Sequence, residues 1–189
     1  MAHKNVDLGR LLKGTSIIPV IVIKEMGEAL PLARKLVAKG YKTLEITLRT
    51  EFGLMAIMEI AEAMPDVIVG AGTVINKGQY EAAIAAGAQF IVSPGHTDAL
   101  IEEAEQSEVP FLPGVATPSE AMKLYDKGYE YFKLFPAEAV GGLKLLKSMI
   151  SPLPQLKFCP TGGINEKSAS DYLALSNVFC VGGSWMVTS

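Results

Sequence analysis

Lys133 stands inside Tyr131–Phe135 (YFKLF), an aromatic and apolar run that reads as a buried strand ended by Pro136. Alternation along a strand puts Lys133 on the face of Tyr131 and Phe135, opposite Phe132 and Leu134. Burial among rings disfavours the charged form of an amine, and a neutral amine attacks carbonyl carbon. The same pattern also suits a lysine at a strand end whose head reaches back to water. A second run, Thr43–Arg49 (TLEITLR), bears on that choice. Leu44, Ile46 and Leu48 alternate with Thr43, Glu45, Thr47 and Arg49, so one face is apolar and the other carries a carboxylate and a guanidinium. An internal ion pair, or an edge strand with a solvated face, would account for this structurally. Placed on one interior face with Lys133, the same residues make an amine nucleophile, a proton carrier and an anion clamp.

Glycines cluster where such runs end. Gly70-Ala71-Gly72-Thr73, Ser93-Pro94-Gly95 and Leu112-Pro113-Gly114 close three of them. Two later ends read Thr161-Gly162-Gly163 and Gly182-Gly183-Ser184. Glycine lets backbone N–H groups approach an anion closely, and Thr161 or Ser184 can add a hydroxyl. Either glycine pair alone is also what a plain tight turn needs. Both together suit a phosphate site.

The elements that must carry these residues repeat regularly. Eight strand-like runs begin near Ile17, Thr43, Val67, Gln89, Val109, Tyr131, Lys157 and Val178, 20 to 26 residues apart. Helical periodicity fills most intervals, as in Gly27–Lys39, Phe52–Ala63, Gln79–Ala86 and Asp98–Gln106. Gly40, Gly87 and Gly128 follow helices as C-terminal caps, while Asp98 and Thr117-Pro118-Ser119-Glu120 start them. Eight strands alternating with helices imply parallel pairing, in a closed TIM (β/α)8 barrel or an open doubly wound sheet. The number eight and the even spacing favour the barrel, as one α/β domain over residues 1–189. The residues before Ile17 form a short helix over its bottom. The eighth, C-terminal helix is expected to be absent, because the chain stops at Ser189 just after the last strand. On this reading the chain is truncated, or that flank is covered from elsewhere.

Bulk properties narrow the function classes. A net charge of −3 argues against a nucleic-acid partner. No apolar run approaches the roughly 18–20 residues of a membrane span, and the first residues lack a signal-peptide core. Cys159 and Cys180 sit in apolar runs and read as free thiols of a cytoplasmic protein. With His3 and His96 far apart, no metal site suggests itself.

These stretches together resemble the class I 2-keto-3-deoxy-6-phosphogluconate aldolases, the KHG/KDPG aldolase family. The resemblance rests on IIPVIVIK (17–24), LEITLRTE (44–51), VGAGTV (69–74), SPG (93–95), PGVATPSE (113–120), FKLFPAEAVGG (132–142), FCPTGGI (158–164) and VGGSW (181–185), in order across nearly the whole chain. It implies a carbon–carbon lyase of Entner–Doudoroff sugar-acid breakdown that needs no cofactor. Lys133 would form the Schiff base and Glu45 would shuttle the proton. Arg49 and Thr73 would hold the pyruvate carboxylate, and Thr161 would bear on aldehyde-face selectivity. Gly162, Gly163, Gly183 and Ser184 would bind the substrate phosphate, with Pro94 and Phe135 walling the pocket. A homotrimer is implied too, with exposed apolar helix surface as its interface. Other readings stay open: an aldolase for 4-hydroxy-2-oxoglutarate or the galactonate epimer, a phosphosugar isomerase or epimerase on the same barrel, and a phosphate-ligand binding protein.

Overall fold

In the computed structural model, which describes residues 4–25 and 27–187, the first strand pairs with both the second and the last. That pairing decides between the barrel and the open sheet. From β1 (Ile17–Ile21), parallel ladders run to β2 (Thr43–Thr47), β3 (Ile68–Gly72), β4 (Phe90–Val92) and β5 (Phe111–Leu112). β6 (Gly114–Val115) continues β5 beyond Pro113, which has no N–H to give a ladder, and pairs with β7 (Tyr131–Leu134). β7 pairs with β8 (Lys157–Pro160). Bridges at Phe158–Val178 and Thr161–Gly182 carry the circuit to β9 (Val181–Gly183), which returns to β1. The fold is a parallel α/β barrel of the TIM type, with its fifth strand broken in two.

The connecting helices are α2 (Ala29–Ala38), α3 (Gly53–Ala63), α4 (Lys77–Ala85), α5 (Asp98–Gln106), α6 (Pro118–Tyr125), α7 (Gly142–Met149) and α8 (Glu166–Leu173). Their ends follow local chemistry. Asn76 caps α4 by accepting from the Gln79 N–H, which starts that helix two residues ahead of the expected Gln79. Thr97, rather than Asp98, caps α5. At α6 the capping box is complete: Thr117 accepts from the Glu120 N–H, while the Glu120 carboxylate accepts from the Thr117 N–H at 2.9 Å. Burial by itself would raise the Glu120 carboxyl, but the Ala116 and Thr117 N–H donors outweigh it and hold the group below its ordinary value. Gly40, Gly87 and Gly128 end their helices in the left-handed region, as the sequence suggests. No helix follows β9 among the described residues.

Two apolar layers hold the barrel. Outward residues of the strands, Leu44 and Ile46 among them, pack with helix residues such as Leu36, Ile57 and Ile60. Inside, the lower half is filled by Ile18, Phe90, Val92, Leu112, Cys159 and Cys180. The leading helix α1 (Lys4–Leu11) plugs this end with Leu8, followed by Leu12. A fully buried side chain of this size contributes about 1.5–3 kcal/mol, so the plug and floor stabilise one another. Gly9 lets the plug come close: a Cβ there would lie 2.5 Å from the Tyr131 hydroxyl.

Candidate active site

Glu45 on β2 and Lys133 on β7 are 88 residues apart in sequence and meet inside the barrel. Lys133 Nζ donates to Glu45 Oε1 at 3.0 Å, with the two side chains only 3% and 4% exposed. The lysine therefore does not snorkel to water. A buried charge needs a partner, and each supplies the other's. Gly72 on β3 makes the room, since a Cβ there would fall 2.2 Å from Glu45 Oε1. The Phe135 ring walls the amine from the other side, its centroid 5.6 Å from Nζ. The remaining inward polar residues of β2 serve the fold. Thr47 donates to the Ile21 carbonyl at 2.9 Å, and Thr43 meets the Thr15 hydroxyl at 2.9 Å.

A cavity of about 500 Å³ opens next to this pair, which is not itself part of the lining but adjoins it through Phe135 and Val20. Arg49, Thr73, Pro94, Phe135, Thr161, Gly162, Gly163, Gly183 and Ser184 all line it, at the C-terminal ends of the strands where barrel enzymes work. One expectation is corrected. Arg49 is not an inward residue of the strand, because β2 ends at Thr47 and the guanidinium lies exposed at the mouth. Its Nε donates to Thr73 Oγ1 at 3.0 Å. Thr73 itself has φ +58, a left-handed conformation that costs a β-branched residue on the order of 1–3 kcal/mol. Strain at a residue that meets an arginine over a cavity marks a built site. Gly162 and Gly163 also have positive φ, +102 and +81, where glycine carries no such cost.

Geometry and chemistry agree with a family assignment. The family model "KDPG and KHG aldolase" matches residues 8–189. The chain belongs to this aldolase family. Among its relatives, the 2-dehydro-3-deoxy-phosphogluconate aldolase of Dickeya dadantii is 50% identical over 94% of this chain and 84% of its own length. The KHG/KDPG aldolase of Escherichia coli is 50% identical over 90% of this chain and 80% of its own. A crystal structure of the Legionella pneumophila KDPG aldolase, with pyruvate captured as a covalent carbinolamine, superposes with a TM-score of 0.92 at 50% identity. It covers 95% of this chain and 87% of that one.

Within this aldolase barrel, the cavity also has walls the sequence reading passed over. Val20 and Val22, from the β1 strand and its end, and Ile164 after the glycine pair complete the lining. Alternation along IIPVIVIK was the available signal for the first two, since Val20 stands in register with Glu45. Cys159 and Cys180 lie buried in the floor as free thiols, and burial, then the neighbouring Cys159, pushes the Cys180 thiol up. His96 binds the Gly114 carbonyl through Nδ1 at 3.0 Å, and His3 lies outside the described residues. Among the described residues, no group of three His, Cys, Asp or Glu could hold a metal ion, and no helix is long and apolar enough to cross a membrane.

Proposed function

We propose that this chain is a class I aldolase that cleaves 2-keto-3-deoxy-6-phosphogluconate to pyruvate and glyceraldehyde 3-phosphate through a Schiff base on Lys133. The observation that carries the reading is the buried 3.0 Å contact of Lys133 with Glu45, next to the Phe135 ring that walls a cavity with a cationic mouth and a double-glycine rim. To attack a carbonyl the amine must first give up a proton, and the Glu45 carboxylate, 3.0 Å from Nζ, is placed to take it. The amine adds to the C2 ketone, and protonated Glu45 gives its proton to the carbinolamine hydroxyl, so that water leaves, an iminium forms as the electron sink and Glu45 returns to carboxylate. Glu45, directly or through a water, takes the C4 hydroxyl proton. The C3–C4 bond breaks, glyceraldehyde 3-phosphate departs and an enamine remains. Protonation at C3 and addition of water return pyruvate and the free amine.

Arg49, paired with Thr73, faces the keto-acid carboxylate, for which its planar fork is suited. Gly162, Gly163, Gly183 and Ser184 take the phosphate, Thr161 sits beside the aldehyde carbon, and Pro94 and Phe135 keep water out. Cleavage of 4-hydroxy-2-oxoglutarate is a second activity of the same site, favoured by the Escherichia coli relative's description as a KHG/KDPG aldolase. The homotrimer implied by the family resemblance would use exposed apolar helix surface such as Met55 and Met58 on α3 and Met122 and Tyr125 on α6, and the free cysteines support a cytoplasmic setting. Borohydride reduction in the presence of pyruvate tests the chemistry. One pyruvate-derived adduct on Lys133 is expected; an unmodified Lys133 in active enzyme would overturn the Schiff-base route.

A further inference from the structure

Behind the glycine pair that follows β8, the Tyr172 hydroxyl donates to Glu138 Oε1, and neither residue lines the cavity. Glu138 opens the 3-10 turn Glu138–Val140 after β7. Its N–H donates to the Gly162 carbonyl at 3.1 Å, and the neighbouring Ala137 N–H donates to the Thr161 carbonyl at 2.8 Å. These two bonds join the β7 loop to the β8 loop along their length. The Glu138 side chain then rests against Gly163: a Cβ there would lie 2.6 Å from its Cγ and 2.7 Å from its Cβ. Gly142 is pressed from the same knot, with a Cβ position 2.4 Å from the Tyr172 hydroxyl.

A carboxylate on an exposed turn would ordinarily wander among rotamers. Here it is tied down by a tyrosine with no exposed surface. Burial, and then the Glu138 carboxylate itself, hold the phenol well above its ordinary range, so Tyr172 remains a donor.

We infer that Glu138 and Tyr172 are positioning residues for the phosphate end of the substrate: their hydrogen bond fixes where Gly162 and Gly163 present their backbone to the anion. The inference rests on the aldolase reading above. Its consequence is selective, since a knot behind the phosphate rim bears on phosphorylated substrates and not on the chemistry at Lys133. Glu138→Ala and Tyr172→Phe should raise KM for 2-keto-3-deoxy-6-phosphogluconate by about five- to tenfold, the worth of one such hydrogen bond, with kcat unchanged. Cleavage of unphosphorylated 4-hydroxy-2-oxoglutarate and borohydride trapping of pyruvate should stay at the parent level. Glu138→Gln keeps the acceptor oxygen and should restore the parent KM. Should Tyr172→Phe fail to fold, Glu138→Ala changes only an exposed side chain and decides alone. An unchanged KM in Glu138→Ala, or equal losses on both substrates, overturns the inference. A parent chain that traps no pyruvate overturns the aldolase reading itself, and this inference with it.

Discussion

The two halves of one barrel interior obey opposite rules. The lower half is plugged by α1 and packed with Leu8, Leu12, Phe90, Leu112 and two cysteines, all apolar or behaving so. The upper half holds a lysine and a glutamate at the same depth of burial, next to a cavity rimmed by glycines. The same strands build both halves. β7 runs from Tyr131 at the floor to Lys133 at the pair, and β4 sends Phe90 across Gly70 on the neighbouring strand. The contrast shows where stability is generated and where it is given up for chemistry. Ionic groups taken from water cost several kcal/mol each, on the order of what a few floor side chains contribute.

The largest expected effect comes from making the upper half resemble the lower. Lys133→Met should lower kcat by at least roughly 10⁴-fold, as loss of a nucleophile does. It should also destabilise by about 3–5 kcal/mol, because Glu45 is left buried and unpaired. Adding Glu45→Leu should restore stability to the parent level or up to about 1–4 kcal/mol beyond it, with no return of activity. Denaturant melts of the two variants check this, and a double variant clearly less stable than the parent would show that the pair stabilises the fold.

The floor should behave in the reverse way. Phe90→Ala removes a fully buried ring and should cost about 3–5 kcal/mol in urea unfolding. Turnover per folded molecule should be kept, because the ring belongs to the apolar floor. A smaller effect is expected at the rim, where Thr73→Gly relieves a strain on the order of 1–3 kcal/mol. Loss of its bond to Arg49 should raise KM for the keto acid about fivefold, so thermal midpoint and KM should rise together. A fall in the thermal midpoint would count against strain at this residue.

The smallest effect lies outside the barrel interior, at α6. The Glu120 carboxyl is held below its ordinary value in the folded chain, so its contribution is complete above the unfolded carboxyl's value and lost as pH falls through the folded one. Glu120→Gln should therefore lower the melting temperature at pH 7, by an amount typical of a cap at about 0.5–2 kcal/mol or less, and match the parent near pH 2. A difference that persists in acid would mean that packing, not charge, sets the effect.

Much of this was legible in the chain. Alternation in Thr43–Leu48 placed Glu45 inward, and Pro136 and the glycines of each strand end marked the loops. Arg49 was misplaced because period-two alternation continues on paper past Thr47, although the ladder to β3 ends there at Gly72. Val20 and Val22 carry no chemical signal in the sequence, since valines are ordinary in a strand. The Glu138–Tyr172 knot was invisible, as 34 residues separate its partners and neither has an unusual neighbour in sequence.

The sequence by itself determined the α/β repeat, the caps, the family resemblance and the chemical types available for an aldol cleavage. These depend on local periodicity, turn chemistry and residue identity. Only the tertiary structure decided that β1 meets β9 and closes the barrel, and that Lys133 and Glu45 approach to 3.0 Å rather than facing separate solvents. It also decided that Arg49 belongs to the mouth. Distance across a barrel is set by how all the strands pair at once, and no single stretch of chain carries that information.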